Sequence, residues 1–161
     1  MKSRARGLSP KESYGQWRGL SIALARLPVA LREFNLKPIL QEMTMTETLN
    51  QIESIDELNQ ALEESSARPV LLFKHSLTCP ISARAYREFQ SYLENAEPQV
   101  SYHLITVQTA RAASNETASR LHVRHESPQA ILVRDGREVW NASHFDITAA
   151  RLAEVIKAQL S

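Results

Sequence analysis

The sequence contains a single cysteine in 161 residues, so it cannot form an intramolecular disulfide bond. Small secreted proteins usually depend on several such bonds, and this class is therefore a poor match. A lone thiol stays reduced most easily in a reducing compartment. We therefore expect a cytoplasmic protein.

Glycine and long apolar runs are also scarce in this sequence. Three of the four glycines lie before residue 20, and Gly136 is the only one after it. This distribution excludes the glycine-rich phosphate loops of the Walker and Rossmann types. The most apolar part, residues 20–31, is interrupted by Arg26 and Pro28 and is too short to cross a membrane. We expect neither a membrane span nor a secretory signal.

The charge is unevenly distributed along the chain. Residues 1–42 carry eight Lys and Arg against three Glu, a balance of +5, whereas residues 43–161 have a balance of −4. We therefore divide the chain into a basic extension, 1–45, and a domain, 46–161. The acidic domain gives no indication of nucleic-acid binding, and the sequence specifies no oligomeric state.

Three hypotheses account for the extension. It is a loosely ordered tail with a short amphipathic helix at 17–34, the product of a misplaced start codon, or a targeting or membrane-surface segment. The composition favours the loosely ordered tail, whereas Met43 and Met45, which lie where the composition changes, favour a misplaced start codon.

Alternating helical and strand patterns begin after residue 46. Ser54 and Glu57 form a capping-box pattern at the start of a helix over 55–64. Asp135-Gly136 is a strong hairpin signal between two strand patterns, 129–134 and 137–141. The remaining predicted elements are a strand at 70–73, a helix from Pro80 to about Asn95, a strand at 100–107, a helix at 114–121 capped by Ser114, and a last helix capped by Asp146 or Thr148.

This order of elements predicts an α/β protein. A β-α-β unit followed by a hairpin and a closing helix is the topology of the thioredoxin fold. We therefore expect a thioredoxin-like fold, with a small central mixed sheet flanked by helices on both faces.

The single cysteine, Cys79, lies where the apolar strand pattern gives way to a polar turn and then to a helix. Pro80 is typical of a first helical position, where its missing N–H would be unpaired anyway. Cys79 is therefore predicted at the helix N-cap, where free amides and the helix dipole favour a thiolate and the sulfur can replace a capping oxygen. The polar turn residues, among them Thr78, favour a reactive thiol over the alternative of an ordinary buried cysteine.

Three basic residues and one serine complete the predicted surroundings of the thiol. Lys74, His75 and Arg84 would add positive charge if they face the sulfur. Ser82 occupies the place of the second cysteine in a Cys-x-x-Cys motif, and a hydroxyl cannot form an S–S bond. The chemistry is therefore restricted to monothiol exchange resolved by an outside thiol. Ser82 either donates a hydrogen bond to the thiolate or is a plain polar residue of the first helical turn.

A second block, residues 123–129, precedes the predicted hairpin. In a thioredoxin fold a proline at this place is cis and lies beside the reactive cysteine, so we expect a cis Ser127–Pro128 bond and strand-like pairing of the Ser127 backbone with substrate. His125 and His144 are candidate substrate contacts. No close ligand spacing such as C-x-x-C is present, so we expect no metal site.

Three blocks of the sequence resemble the YtxJ-type monothiol bacilliredoxins. They are Phe73-Lys74-His75-Ser76 with Thr78-Cys79-Pro80-Ile81-Ser82, then His125-Glu126-Ser127-Pro128-Gln129-Ala130, then Ala142-Ser143-His144-Phe145-Asp146-Ile147-Thr148. The resemblance spans roughly residues 49–158. Leu77 stands where a polar residue is common in that family, and Phe145 where tryptophan is common.

The resemblance implies a thiol-disulfide oxidoreductase with a Thr-Cys-Pro-Ile active site. It implies that Cys79 exchanges mixed disulfides with bacillithiol, a low-molecular-weight thiol, and so removes it from S-thiolated proteins or transfers it to them. No tightly bound cofactor is implied, and bacillithiol serves as co-substrate. The alternative is a metal or iron–sulfur carrier of the monothiol-glutaredoxin kind, which would share Cys79 and an external thiol across a dimer.

Overall fold

The computed structural model describes residues 49–161. The three hypotheses for the basic extension concern residues outside this range. The strands are β1 Leu49–Gln51, β2 Val70–His75, β3 Ser101–Thr106, β4 Gln129–Arg134 and β5 Arg137–Ser143. The helices are α1 Ile55–Glu64, α2 Pro80–Leu93, α3 Arg111–Arg120 and α4 Ala149–Leu160, with a 3-10 helix at His144–Asp146.

The five strands form one mixed sheet in the order β1-β3-β2-β4-β5. The strand β3 runs parallel to both β1 and β2, whereas β4 runs antiparallel to β2 and β5. At the centre, Phe73 of β2 is opposite Leu104 of β3 on one side and Ala130 of β4 on the other. The strand that leads to Cys79 is therefore the middle of the sheet.

Helices cover both faces of this sheet, as the element order predicts. Because successive side chains of a strand point to opposite faces, Leu71 and Phe73 join the core beneath α2 and α4. Val70 and Leu72 join a second core beneath α1 and α3. The strand β2 is buried along its whole length, as is typical of a central strand.

The local signals for helix starts are confirmed at both ends of the domain. Ser54 accepts a hydrogen bond from the Glu57 amide, and the Glu57 carboxylate accepts one from the Ser54 amide, which completes the capping box. Of the two candidate caps for α4, Thr148 caps the helix by accepting from the Arg151 amide. Asp146 instead ends the 3-10 helix.

The predicted hairpin turn is also confirmed. Asp135 and Gly136 both have positive φ, 51° and 71°, as a two-residue turn of this kind requires. The turn is anchored on the C-cap of α1, because the Asp135 amide donates to the Ser65 carbonyl and the Gly136 amide to the Ser65 hydroxyl. The hairpin tip thus depends on a residue 71 positions away.

Two features differ from the predictions. The strand β1 was not predicted, because three residues at the sheet edge give too short a pattern to detect. The helix α3 begins at Arg111, after an N-cap at Ala110 that offers no capping side chain. Ser114 is therefore not a cap; it lies buried within the helix, beside Ala113.

Within residues 49–161, no helix has the length and apolar character needed to cross a membrane.

Replacement of Gly136 by alanine tests the hairpin turn. A Cβ at this position would meet no atom within 4 Å, so only the positive φ penalises it. We expect Gly136→Ala to lower the free energy of unfolding in urea by about 1 kcal/mol. Asp135→Asn should leave it nearly unchanged, since asparagine tolerates a positive φ. If both substitutions lowered the free energy of unfolding equally, this account of the turn would be contradicted.

Candidate active site

Cys79 lies between a short exposed turn and the first residue of α2. It is the N-cap of that helix, with extended backbone angles of −100° and 118°, and Pro80 follows at the first helical position. The thiol is free and its residue is partly exposed. The sulfur does not form the capping hydrogen bond expected from the sequence. Cys79 is thus at the helix start as predicted, with its sulfur not engaged by the helix amides.

Ser82 is fully buried and is held by two groups from the end of β2 and the turn. Its hydroxyl oxygen accepts a hydrogen bond from the Ser76 amide at 2.8 Å. The same oxygen lies 2.9 Å from Nδ1 of His75. Both sequence-based hypotheses for Ser82 are therefore incomplete, because the hydroxyl secures the turn from the inside.

His75 is buried at the carboxyl end of β2 rather than exposed beside the thiol. Its ring stacks on Tyr86 of α2, with 4.7 Å between the ring centroids. Burial lowers the pKa of His75, which favours the neutral imidazole. The His75 ring joins the turn to α2 through Ser82 and Tyr86.

Lys74 points to the opposite face of the sheet and is fully buried. Its ammonium nitrogen lies 3.1 Å from Nδ1 of His125 and donates to the Gln129 side-chain oxygen at 3.2 Å. Burial lowers the pKa of Lys74 to about 8, although the Glu126 carboxylate acts in the opposite direction. The lysine therefore connects β2 to the segment before β4.

The Ser127–Pro128 peptide bond in that segment is cis. Pro128 is buried, and its carbonyl accepts a hydrogen bond from the His144 amide at 3.1 Å. The buried hydroxyl of Ser127 has no hydrogen-bond partner among the residues that the structure describes. The second and third sequence blocks therefore meet at the proline.

The two candidate histidines of these blocks are both exposed but have different polar neighbours. Because an ammonium group only donates, His125 accepts from Lys74 at Nδ1, which leaves its proton on the other nitrogen. Burial lowers the pKa of His125, and the charge of Lys74 lowers it further. His144 is exposed, has a positive φ of 57°, and places Nδ1 3.9 Å from the Glu126 carboxylate.

Some neighbours of the site were not predicted from the sequence. Gln129 receives the Lys74 ammonium and donates its own amide to the Arg124 carbonyl. Gln108 contacts the turn before Cys79. One signal could have found Gln108, since β2 and β3 are parallel neighbours and the residues after them must meet at the same sheet edge.

The surface around the turn carries exposed apolar side chains. Leu77 in the turn is 64% exposed and Phe145 in the 3-10 helix is 59% exposed. The guanidinium of Arg84 lies over the Phe145 ring at 5.5 Å, so the 3-10 helix is held against α2. The sequence pattern predicts Arg84 only as a source of positive charge at the thiol and does not predict its contact with Phe145.

Within the part of the chain that the structure describes, no group of three or more His, Cys, Asp or Glu side chains is placed to hold a metal ion.

Residues 50–152 match the model of one protein family, described as monothiol bacilliredoxin BrxC. These residues make up well over half of the chain.

Solved structures show the same architecture. A protein described as a candidate oxidoreductase with a thioredoxin fold is 37% identical, with a TM-score of 0.61 over 68% of this chain and 95% of that one. Thioredoxin O2 of Arabidopsis thaliana, in its oxidized state, is 18% identical, with a TM-score of 0.57 over 71% and 96% of the two chains. Thioredoxin of Fasciola hepatica is 17% identical, with a TM-score of 0.55 over 68% and 97%. The predicted thioredoxin-like fold is confirmed.

Replacement of Ser82 tests its role in holding the turn. Ser82→Ala removes the acceptor of the Ser76 amide and the partner of His75, and both groups are at least partly buried. We expect the free energy of unfolding in urea to fall by about 1–3 kcal/mol. Ser119→Ala, on the exposed face of α3, is the matched control and should have little effect. An unchanged stability for Ser82→Ala would contradict the proposed anchoring.

The buried Lys74 should make stability depend on pH above neutrality. Its pKa of about 8 in the folded protein is below the value of about 10.4 expected when unfolded. Between these values the unfolded chain binds more protons, so the free energy of unfolding rises with pH. Relative to Lys74→Met, wild-type stability should therefore increase by roughly 2 kcal/mol between about pH 7 and about pH 10. Parallel stability curves for the two proteins would show that Lys74 titrates normally.

Proposed function

The chain belongs to the monothiol bacilliredoxin family, and we propose that it exchanges mixed disulfides with bacillithiol through Cys79. The resemblance predicted from the sequence is confirmed, and the protein is a thiol oxidoreductase. The reacting residue, the co-substrate and the surrounding contacts are the parts that we propose.

The position of Cys79 is the observation that carries the proposal. It is the only cysteine in the sequence, so no other side chain can form the disulfide. It is partly exposed at the N-terminus of a fourteen-residue helix, where the helix dipole favours an anionic sulfur. Thiolates at such positions are the nucleophiles of thiol–disulfide exchange.

The proposed cycle has two exchange steps. The Cys79 thiolate attacks the bacillithiol sulfur of a mixed disulfide on a protein; that S–S bond breaks, and the protein cysteine leaves as a thiolate that takes up a proton. A second bacillithiol thiolate then attacks the bacillithiol sulfur on Cys79. This step releases Cys79 as a thiolate and forms bacillithiol disulfide. The protein cysteine is reduced, one free bacillithiol thiol is oxidised, the two bacillithiol groups leave as one disulfide, and Cys79 is regenerated as a thiolate.

The surroundings of Ser82 support an external resolving thiol. The hydroxyl at this position cannot form an S–S bond with Cys79, and its oxygen is engaged by the Ser76 amide and lies against His75. The Ser82 hydroxyl, which stands where a Cys-x-x-Cys protein has its resolving thiol, therefore stabilises the turn. The same exchange run in reverse would transfer bacillithiol to a protein cysteine.

We place the substrate backbone alongside the cis-proline segment. In this arrangement the Ser127 backbone pairs with an extended segment of the S-thiolated protein, as an added strand does. His125 and His144 border the segment, since Lys74 holds the first and the Pro128 carbonyl the second. Leu77 in the turn and Phe145 in the 3-10 helix are exposed, and we propose that they provide apolar contacts to the substrate.

We place this chemistry in the cytoplasm. Reduced low-molecular-weight thiols are abundant there, and the cycle consumes one in every turnover.

Mass analysis of the purified protein tests the proposed thiol and co-substrate together. After exposure to bacillithiol disulfide, wild-type protein should gain one bacillithiol and lose it again when reduced bacillithiol is added. Cys79→Ser should gain none and lose all exchange activity, whereas Ser119→Ala should behave as wild type.

Other outcomes of this experiment would contradict parts of the proposal. A preference for a different disulfide, such as cystine or glutathione disulfide, would show that the co-substrate is wrong. Slow alkylation of native Cys79 without any adduct would show that the thiol is inert. A coloured, iron-containing protein would instead support the iron–sulfur carrier.

A further inference from the structure

Gln108 contacts all three residues of the turn that leads to Cys79. Its side-chain oxygen accepts a hydrogen bond from the Leu77 amide at 3.2 Å. Its side-chain nitrogen donates to the Ser76 hydroxyl at 2.8 Å and, at a longer 3.4 Å, to the Thr78 hydroxyl. One amide group therefore binds the turn with both its acceptor and its donors.

Hydrogen-bond chemistry fixes the orientation of this amide. The Leu77 backbone N–H can only donate, so the oxygen of Gln108 must face it. The nitrogen is then directed to the two hydroxyl groups, which can accept. Neither glutamate nor leucine offers both an acceptor and a donor here, which makes glutamine specifically suited to this position.

The backbone around Gln108 is itself held by the sheet. The Val107 amide donates to the His75 carbonyl at 2.8 Å and extends the ladder between β3 and β2 by one bond. The Thr109 and Ala110 amides both donate to the Thr106 carbonyl, which closes the turn after β3. Gln108 is therefore presented to the Cys79 turn from a fixed position at the edge of the sheet.

The turn is secured from two sides. Ser82 accepts the Ser76 amide from the buried side, and Gln108 accepts the Leu77 amide from the exposed side. Leu77 is otherwise open to solvent, since 64% of its surface is exposed. Without Gln108, the residues immediately before Cys79 would lose their hydrogen bonds on the exposed side.

We infer that Gln108 is a positioning residue for thiol exchange, because it fixes the turn Ser76–Thr78 and thereby the placement of Cys79 at the start of α2. The inference concerns the site of the proposed function and rests on Cys79 being its reacting thiol. It adds a residue from the loop between β3 and α3 to a site otherwise built from the three sequence blocks.

The test compares Gln108→Leu with wild type in alkylation by iodoacetamide, followed across pH. Leucine keeps much of the side-chain volume but none of the hydrogen bonds. We expect the alkylation rate of Cys79 at neutral pH to fall about tenfold, which corresponds to the loss of one or two ordinary hydrogen bonds. Hydrogen exchange of the Leu77 amide should accelerate in the same variant. The thermal unfolding midpoint should fall by only about 5 °C, as the loss of one or two hydrogen bonds produces in a domain of this length.

Gln108→Glu separates positioning from charge. The carboxylate still accepts from Leu77, so slow exchange of that amide should be retained. The added negative charge on the turn opposes formation of an anion at Cys79, so alkylation at neutral pH should slow. Gln159→Leu, at an exposed position of α4, is the matched control and should behave as wild type in each measurement.

The outcomes distinguish this inference from the proposed function. Alkylation needs no bacillithiol, so it reports on Gln108 even if the co-substrate is different. Unchanged alkylation and unchanged Leu77 exchange in Gln108→Leu would overturn the inference and leave the proposed function intact. Slowed alkylation in a protein that forms no bacillithiol adduct would support Gln108 and contradict the co-substrate.

Discussion

The burial of two polar side chains at the end of the central strand organises the site. Lys74 and His75 are the last residues of β2, and the sheet removes both from water. A buried polar group without a partner is costly, so each must find one nearby. They point to opposite faces of the sheet. His75 reaches Ser82 in α2, and Lys74 reaches the segment before β4.

These two pairings hold the two sides of the site to the same strand. On one face, His75, Ser82 and the Ser76 amide join the turn to the helix that Cys79 begins. On the other face, Lys74 secures His125 and Gln129 on either side of the cis-proline. The thiol and the segment proposed to bind substrate are therefore positioned by adjacent residues of one rigid strand. Gln108 adds a contact from the loop that follows β3.

The same burial changes how the basic residues act. Proximity in sequence made Lys74, His75 and Arg84 candidates for placing positive charge on the thiol. In the structure burial lowers the pKa of His75, Lys74 is bound on the far face, and Arg84 lies over Phe145. The proposed reactivity of Cys79 therefore rests on its position at the start of α2, where backbone dipoles rather than side-chain charges favour an anion.

The sequence by itself determined the features that rest on a few adjacent residues. The capping box at Ser54, the Asp135-Gly136 turn and the Cys79-Pro80 helix start each depend on local backbone geometry, which neighbouring side chains specify. Only the tertiary structure decided the features that need partners distant in the chain. The strand β1 exists because β3, some fifty residues later, pairs with it. Ser114 lies inside α3 because packing against the sheet, not a capping side chain, sets where that helix begins. The partners of Lys74, Ser82 and the Leu77 amide likewise follow from which strand ends meet at one edge of the sheet, and no local pattern contains that information.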